Sequence, residues 1–407
     1  MKKSCFLFLL FVNVFSLSAQ EKYTISGYIT DKSNGESIVG ANIYCEELSV
    51  GVSSNTYGFY SLTLPSNNYE ILFSFIGYKV QKQSVALNKN IRIDIEFTTS
   101  TYNINEIVVN ANKNIVEMTR TSMIEVPIEQ IKKVPAFLGE VDVLKAIQLL
   151  PGVQSSEGSS GFYVRGGGPD QNLILLDGVP VYNASHIGGL FSVFNAAAIK
   201  TVRLTKGGFP ARFGGRLSSV LEIDMKEGNT KEFKGEATIG LISSKLSLEG
   251  PIIKDKTSFI IAGRRTYADF IVKPFMPAST DLTLYFYDLN AKINHKISQN
   301  DRLYLSAYLG RDAFGINYDS SLEGGKGNQN SSDNGILNFG LGYGNITSTL
   351  RWNHLFNNKL FSNTTFTFSR YSFNTDFGLT ANQQLDNGDE ITNINFGYLA
   401  GIEDIGA

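Results

Sequence analysis

Residues 285–293 sort two chemistries onto two faces. Tyr285, Tyr287, Leu289, Ala291 and Ile293 fall on one side of an extended chain, and Phe286, Asp288, Asn290 and Lys292 on the other, because successive strand side chains point opposite ways. The alternation returns where Leu303, Leu305, Ala307 and Leu309 interleave with Tyr304, Ser306, Tyr308 and Gly310. From about residue 232 such runs are joined by two kinds of connection. Pro251–Lys256, Ser298–Asp301 and Asn357–Lys359 are short; 270–283, 312–335 and 376–391 are long, and the middle one is rich in Gly, Asn and Ser. Period-two runs whose turns alternate short and long are the pattern of a transmembrane β-barrel. A soluble Gly-rich sandwich or propeller is the alternative that this pattern leaves. About seven strands precede Ala407. Single-chain bacterial barrels use even numbers and plugged ones about 22, so seven strands would leave open edges in lipid, where each unpaired backbone group costs several kcal/mol. The expectation is a fragment of a longer barrel.

The bulk composition narrows the function classes. A net charge of −2 over 407 residues offers no basic field for nucleic acid. Aromatics at 12% with 39 Gly favour β-structure. Of the two cysteines, Cys5 lies in the leader and Cys45 stands alone, so no intrachain disulfide or zinc spacing is available. Lys2-Lys3, the apolar run Phe6–Phe15 and Ser18-Ala19 before Gln20 read as a secretory signal peptide over residues 1–19. That run is too short to cross a hydrocarbon layer of about 30 Å as a helix. No later segment reaches 18 uncharged apolar residues. A membrane location therefore requires a barrel.

Residues 22–98 alternate short β runs with Gly- and Asn-containing turns, the pattern of a small sandwich. The residues Gly27, Gly40-Ala41-Asn42, Gly58-Phe59-Tyr60, Pro65, Tyr69 and Ile76-Gly77-Tyr78 resemble the carboxypeptidase-regulatory-like domain, a non-catalytic module. A polar linker is expected over 99–133, interrupted by Glu106-Ile107-Val108-Val109-Asn110-Ala111. Val141, Leu144, Ile147 and Leu149-Leu150 then show helical spacing, with Asp142 near the start and Pro151-Gly152 at the end.

The densest motif runs from Phe162 to Glu222. It holds Arg165-Gly166-Gly167-Gly168, then Asp177-Gly178 between Leu173–Leu176 and Val179–Tyr182, then Lys206-Gly207-Gly208 and Arg212-Phe213-Gly214-Gly215-Arg216. A phosphate loop is excluded, since no helix and no Gly-Lys-Ser/Thr follow the Arg-Gly turn. Asp177-Gly178 is a two-residue hairpin signal. In this order the segment resembles the plug domain of TonB-dependent outer-membrane receptors. That resemblance implies a mainly β protein. It would have an N-terminal β-sandwich (22–98), an α/β plug (134–228) and the first strands of an incomplete antiparallel barrel (229–407).

The resemblance also implies a mechanism and partners. An extracellular ligand would be imported into the periplasm with energy from TonB, and outer-membrane lipid would surround the barrel. Residues 106–111 resemble the TonB box, an extended segment able to add a strand to a partner sheet. Arg165, Gly166, Gly167, Asp177, Gly178, Lys206, Gly207, Arg212, Gly214, Gly215 and Arg216 form the plug signature, and Arg165, Arg212 and Arg216 are expected to face acidic residues of the barrel wall. Some such receptors pair with a surface lipoprotein lid. The Arg-Gly-Gly-Gly form departs from the Arg-Gly-Thr-like form associated with that pairing, which leaves that partner open. A non-transporting surface adhesin or ligand-binding protein is the competing class, and it has no need of a plug. His186, His295 and His354 lack metal-ligand spacing and are expected at the surface or in the lumen. No cofactor is implied, and no catalytic elbow or zinc motif occurs, so an enzyme is not expected.

Overall fold

Alternate apolar residues of the first domain close a single core. Ile25, Ile29, Ile43, Leu62, Leu64, Ile71, Phe73 and Phe97 are buried together. The strands are β1 (Lys22–Asp31), β2 (Asn42–Cys45), β3 (Val50–Ser53), β4 (Phe59–Pro65), β5 (Asn67–Ser74), β6 (Gln81–Leu87), β7 (Ile91–Arg92) and β8 (Ile95–Phe97). One sheet pairs β1 with β4, β7 and β8, and the other runs β3-β2-β5-β6. This computed structural model describes residues 21–100, 123–135, 138–156, 159–319, 334–384 and 390–406. The expected leader (1–19) and the segment 106–111 lie outside them. The chain divides into two compact units, and the first also takes in residues 354–362, whose Leu355 packs with Tyr28 and Phe59.

The second unit opens with an α/β domain. Its elements are β9 (Met123–Pro127), α1 (Ile128–Ile131), α2 (Val143–Gln148), β10 (Val153–Ser156), β11 (Ser159–Val164), β12 (Asn172–Leu176), β13 (Val179–Pro180), β14 (Ser185–His186), β15 (Phe191–Ser192), β16 (Ile199–Thr205) and β17 (Ser219–Met225). The sheet order is β13-β12-β17-β16-β9; β12 runs parallel to β17, and β16 antiparallel to both its neighbours. The expected linker of 99–133 thus ends in ordered structure. Met123, Glu125 and Pro127 pair with Thr205, Arg203 and Thr201.

Helix α2 is shorter than the helical spacing from Val141 to Leu150. Asp142 fixes its start by accepting from the amides of Leu144 (2.9 Å) and Lys145 (3.1 Å). Gly152, at φ 77°, lies in the left-handed turn that follows. The helix buries Val143, Leu144, Ala146 and Ile147 against Phe162, Phe194, Val202 and Leu221. Truncating Ile147 to Ala would cost about 2–5 kcal/mol.

Among the described residues eight strands follow in sequence order, where about seven were expected. They are β18 (Lys234–Ile239), β19 (Ser243–Ile253), β20 (Thr257–Thr266), β21 (Thr280–Lys296), β22 (Asp301–Asp319), β23 (Asn334–Asn357), β24 (Leu360–Gln384) and β25 (Glu390–Gly406), with helix α3 (Ala268–Val272) between β20 and β21. The extra strand arises before Pro251, where a tight turn at 240–242 folds β19 back on β18; two of the expected strands also run longer. β22 continues to Asp319 and β24 to Gln384, inside segments expected as loops. There pairing with the neighbouring strand continues the ladder, Tyr318 opposite Thr280 and Asp376 opposite Leu399.

This sheet is inside out. Asp288, Asn290, Lys292 and Asn294 of β21 are buried, while Leu289 and Ile293 are exposed. On β22, Tyr304, Ser306, Tyr308 and Asp312 are buried, and Leu305 and Leu309 are exposed. Strand β23 repeats the pattern, with Asn345, Thr347, Thr349 and Arg351 inside and Ile346, Leu350 and Trp352 outside. The polar face of this wall meets the α/β domain.

Candidate functional site

The polar seam between the α/β domain and the wall is where chemistry concentrates. Just before the Asp142 cap lies Glu140, only 1% exposed. Its carboxylate receives Lys245 Nζ at 2.7 Å and Arg264 Nη1 at 3.3 Å, with Ser243 Oγ as a third donor. Arg264 also donates through Nε to Asp288 (2.7 Å) and through Nη2 to the Ser192 carbonyl (2.8 Å). A buried guanidinium is tolerated here because its rigid fork is satisfied on three sides.

His186 is the second anchor, and it is not a surface or open-lumen residue. Its ring is 1% exposed and stacks on Phe286 at 4.0 Å and 7°. Nε2 lies 2.7 Å from Asp288 Oδ1, and Nδ1 lies 2.6 Å from Asp312 Oδ2. The following turn points backbone donors the same way. Ile187, at an unusual φ of 47°, donates to Asp312 Oδ1 at 2.8 Å, and Gly188 donates to Tyr343 Oη at 2.9 Å. Tyr308 Oη donates to Asp288 at 2.9 Å. Burial alone would pull the imidazole pKa down; the carboxylates of Asp288 and Asp312 outweigh it and raise the pKa above its ordinary value.

The third anchor is the Asp177-Gly178 hairpin. Both residues have positive φ (48° and 85°), as a type I′ turn requires, and Leu176 pairs with Val179 across it. Asp177 Oδ1 accepts from the Met225 amide at 2.9 Å, and Oδ2 lies 2.9 Å from Lys292 Nζ of the wall. Burial would raise the Asp177 pKa, but Lys292 and Arg351 outweigh it and hold the carboxyl below its ordinary range.

A distinct pattern joins these anchors: wall side chains donate to backbone carbonyls of the α/β domain. Arg351 reaches Asp177 O (2.7 Å), Ser369 reaches Pro180 O (2.8 Å) and Asn345 reaches Asn183 O (2.7 Å). Lys292 reaches Met225 O (3.2 Å), and Ser258 reaches Glu227 O (2.8 Å). Beside His186 a cavity of about 520 Å³ is lined by Asn183, Asp312, Phe314, Tyr343, Tyr371 and Phe373, among others. Asp312 and Tyr343 therefore belong to both the seam and the cavity.

Several expected residues sit elsewhere. Arg165 (φ 50°) and Gly166 (φ 86°) form an exposed turn, and a Cβ on Gly167 would meet Ser218 at 2.5 Å. Lys206 donates to the Pro151 carbonyl at 2.5 Å, beside Gly207 at φ 76°. Arg212 is 67% exposed and 3.9 Å from Glu222 of its own domain. Gly214 has open space around it, Gly215 takes φ 77°, and Arg216 donates to the Gly215 carbonyl. Among the described residues no ion pair joins Arg165, Arg212 or Arg216 to a wall carboxylate, and Arg212 meets Glu222 instead. The wall itself supplies the cations Lys245, Arg264, Lys292 and Arg351. Among the described residues no group of three His, Cys, Asp or Glu could hold a metal ion.

Residues 25–109 match the family described as the CarboxypepD_reg-like domain, and residues 116–219 match the TonB-dependent Receptor Plug Domain. The chain carries a TonB-dependent receptor plug behind a carboxypeptidase-regulatory-like domain. A relative, TonB-dependent receptor P3 of Formosa agariphila, is 29% identical over 109 residues, which is 27% of this chain and 10% of that protein. Among solved structures, the siderophore receptor PirA of Acinetobacter baumannii is similar at 15% identity and TM-score 0.38, covering 70% of this chain and 57% of that one. The outer-membrane transporter YddB of Escherichia coli is similar at 13% identity and TM-score 0.37, covering 70% and 53%. The chain thus spans about a tenth of the curated relative and little more than half of the solved receptors.

Proposed function

We propose that this chain is the working front of a TonB-dependent outer-membrane receptor, in which the plug blocks a barrel until TonB draws it aside. The receptor takes a ligand from outside and delivers it to the periplasm. One observation supports the reading: polar and ionic side chains hold the plug to the wall, five of these bonds running to plug backbone carbonyls. Each such bond contributes about 0.5–1.5 kcal/mol net, or about 1.5–3 where Arg or Lys donates, because water replaces it when it breaks. A seam of this kind closes the lumen at rest and comes apart without exposing hydrophobic surface.

The outward apolar residues of β19 to β23 suit outer-membrane lipid, with Tyr285, Tyr287 and Trp352 as interfacial aromatics. Residues 106–111 are the proposed TonB-contacting segment, and the sandwich domain would lie in the periplasm after removal of a signal peptide. The test is growth on the nutrient that the full-length receptor supports. Val108→Pro removes a ladder donor and should abolish that growth without lowering surface display. Undiminished growth would place coupling elsewhere.

A further inference from the structure

The seam cluster is electrically balanced in one protonation state. Glu140, Asp288 and Asp312 bring three carboxylates, and Lys245 and Arg264 bring two fixed cations. The third positive charge must come from His186, which lies within hydrogen-bond distance of two of the carboxylates. A neutral imidazole has one donor and one lone pair. In either tautomer, deprotonation turns that lone pair toward a carboxylate oxygen 2.6 or 2.7 Å away. Asp288 keeps other donors in Arg264 and Tyr308, whereas Asp312 is otherwise held by the Ile187 amide, with Tyr343 alongside.

We propose that His186 is a protonation-dependent latch that fastens the plug apex, residues 185–190, to wall strands β21 and β22. Resting on the plug reading above, this adds a regulation to it. Protonated, His186 bridges Asp288 and Asp312, and the Ile187 and Gly188 amides stay on the wall. Deprotonated, the bridge opens at one end and the apex loosens. Asp312 also lines the cavity, so whatever occupies that cavity competes for the same carboxylate.

The sign follows from linkage. The folded imidazole binds its proton more tightly than a free one, so the latch is at full strength below about pH 6.5. Its closing equilibrium then weakens about tenfold per pH unit until the raised folded value is passed.

The test is hydrogen exchange of the peptide spanning residues 183–192 in the full-length receptor, from pH 5.5 to 9, corrected for intrinsic rate. In the wild type, protection at Ile187 and Gly188 should fall by about tenfold per unit over a window opening near pH 6.5. His186→Gln should lower protection and flatten the profile. If His186→Gln does not reach the membrane, Asp312→Asn serves instead and should shorten the sloping window. A flat wild-type profile overturns the latch, as does a slope that survives in His186→Gln. Neither ligand nor TonB enters this readout, so its failure leaves the transport reading standing, and failure of Val108→Pro leaves the latch standing.

Discussion

Lys292 of strand β21 places its ammonium 2.9 Å from Asp177 Oδ2, at the corner of the plug hairpin, with both side chains buried. The pair joins a residue legible as a turn signal to one legible as a lumen-face alternation. Breaking it from one side leaves an uncompensated buried charge, which costs about 3–5 kcal/mol. Lys292→Met and Asp177→Asn should each lower plug docking by that order, read as protease release of the plug. The double variant should lose much less than the sum, since both charges are then gone. Additive losses would show that the pair carries no coupling.

Glycine at the same corner gives a second expectation. Gly178 has φ 85°, and a Cβ there would meet Arg351 Nη2 at 3.0 Å. Gly178→Ala should therefore destabilise by more than about 1 kcal/mol. Gly214→Ala, in open space without a positive φ, should stay within about 0.5 kcal/mol. Melting temperatures of the two variants should separate clearly. Equal melting temperatures would remove the turn argument.

Acid should loosen the plug by a route separate from His186. Asp177 holds its proton more weakly in the folded state, as does Glu227, where burial is outweighed by Lys200 and Lys292. A depressed folded pKa contributes stability that is present above the unfolded value, about 3.9 for Asp, and is lost as pH falls through the folded one. Receptor melting followed downward from pH 5 should fall, and Asp177→Asn should blunt that fall. An unchanged acid limb in this variant would assign the loss to other carboxylates.

Much of the fold was legible because its elements carry their own periodicity. The alternation at 285–293 and 303–309 fixed which face turns inward, and Asp177-Gly178 fixed a hairpin register. Strand β9 was not legible, because Met123–Pro127 is short, ends in proline and gains its identity only by pairing with β16. The seam was less legible still. His186 meets Asp288 and Asp312 across separations of 102 and 126 residues, and no local pattern marks such a meeting. The arginines of the Gly-rich motif drew the electrostatic reading away from the wall strands that supply the cations of this seam. The cations that matter are single inward-facing residues, Lys245, Arg264 and Lys292, spaced along wall strands. A buried charge inside an otherwise alternating strand was the available signal.

We propose that TonB takes hold through residues 106–111, N-terminal to the plug. The most direct measurement is the affinity of the TonB periplasmic domain for the purified full-length receptor and its variants at residues 106–111. Glu106→Lys should bind within a few-fold of wild type, because backbone hydrogen bonds carry strand addition. Val108→Pro should bind at least about tenfold more weakly, since proline removes a donor from that ladder. Wild-type affinity in Val108→Pro would contradict the account.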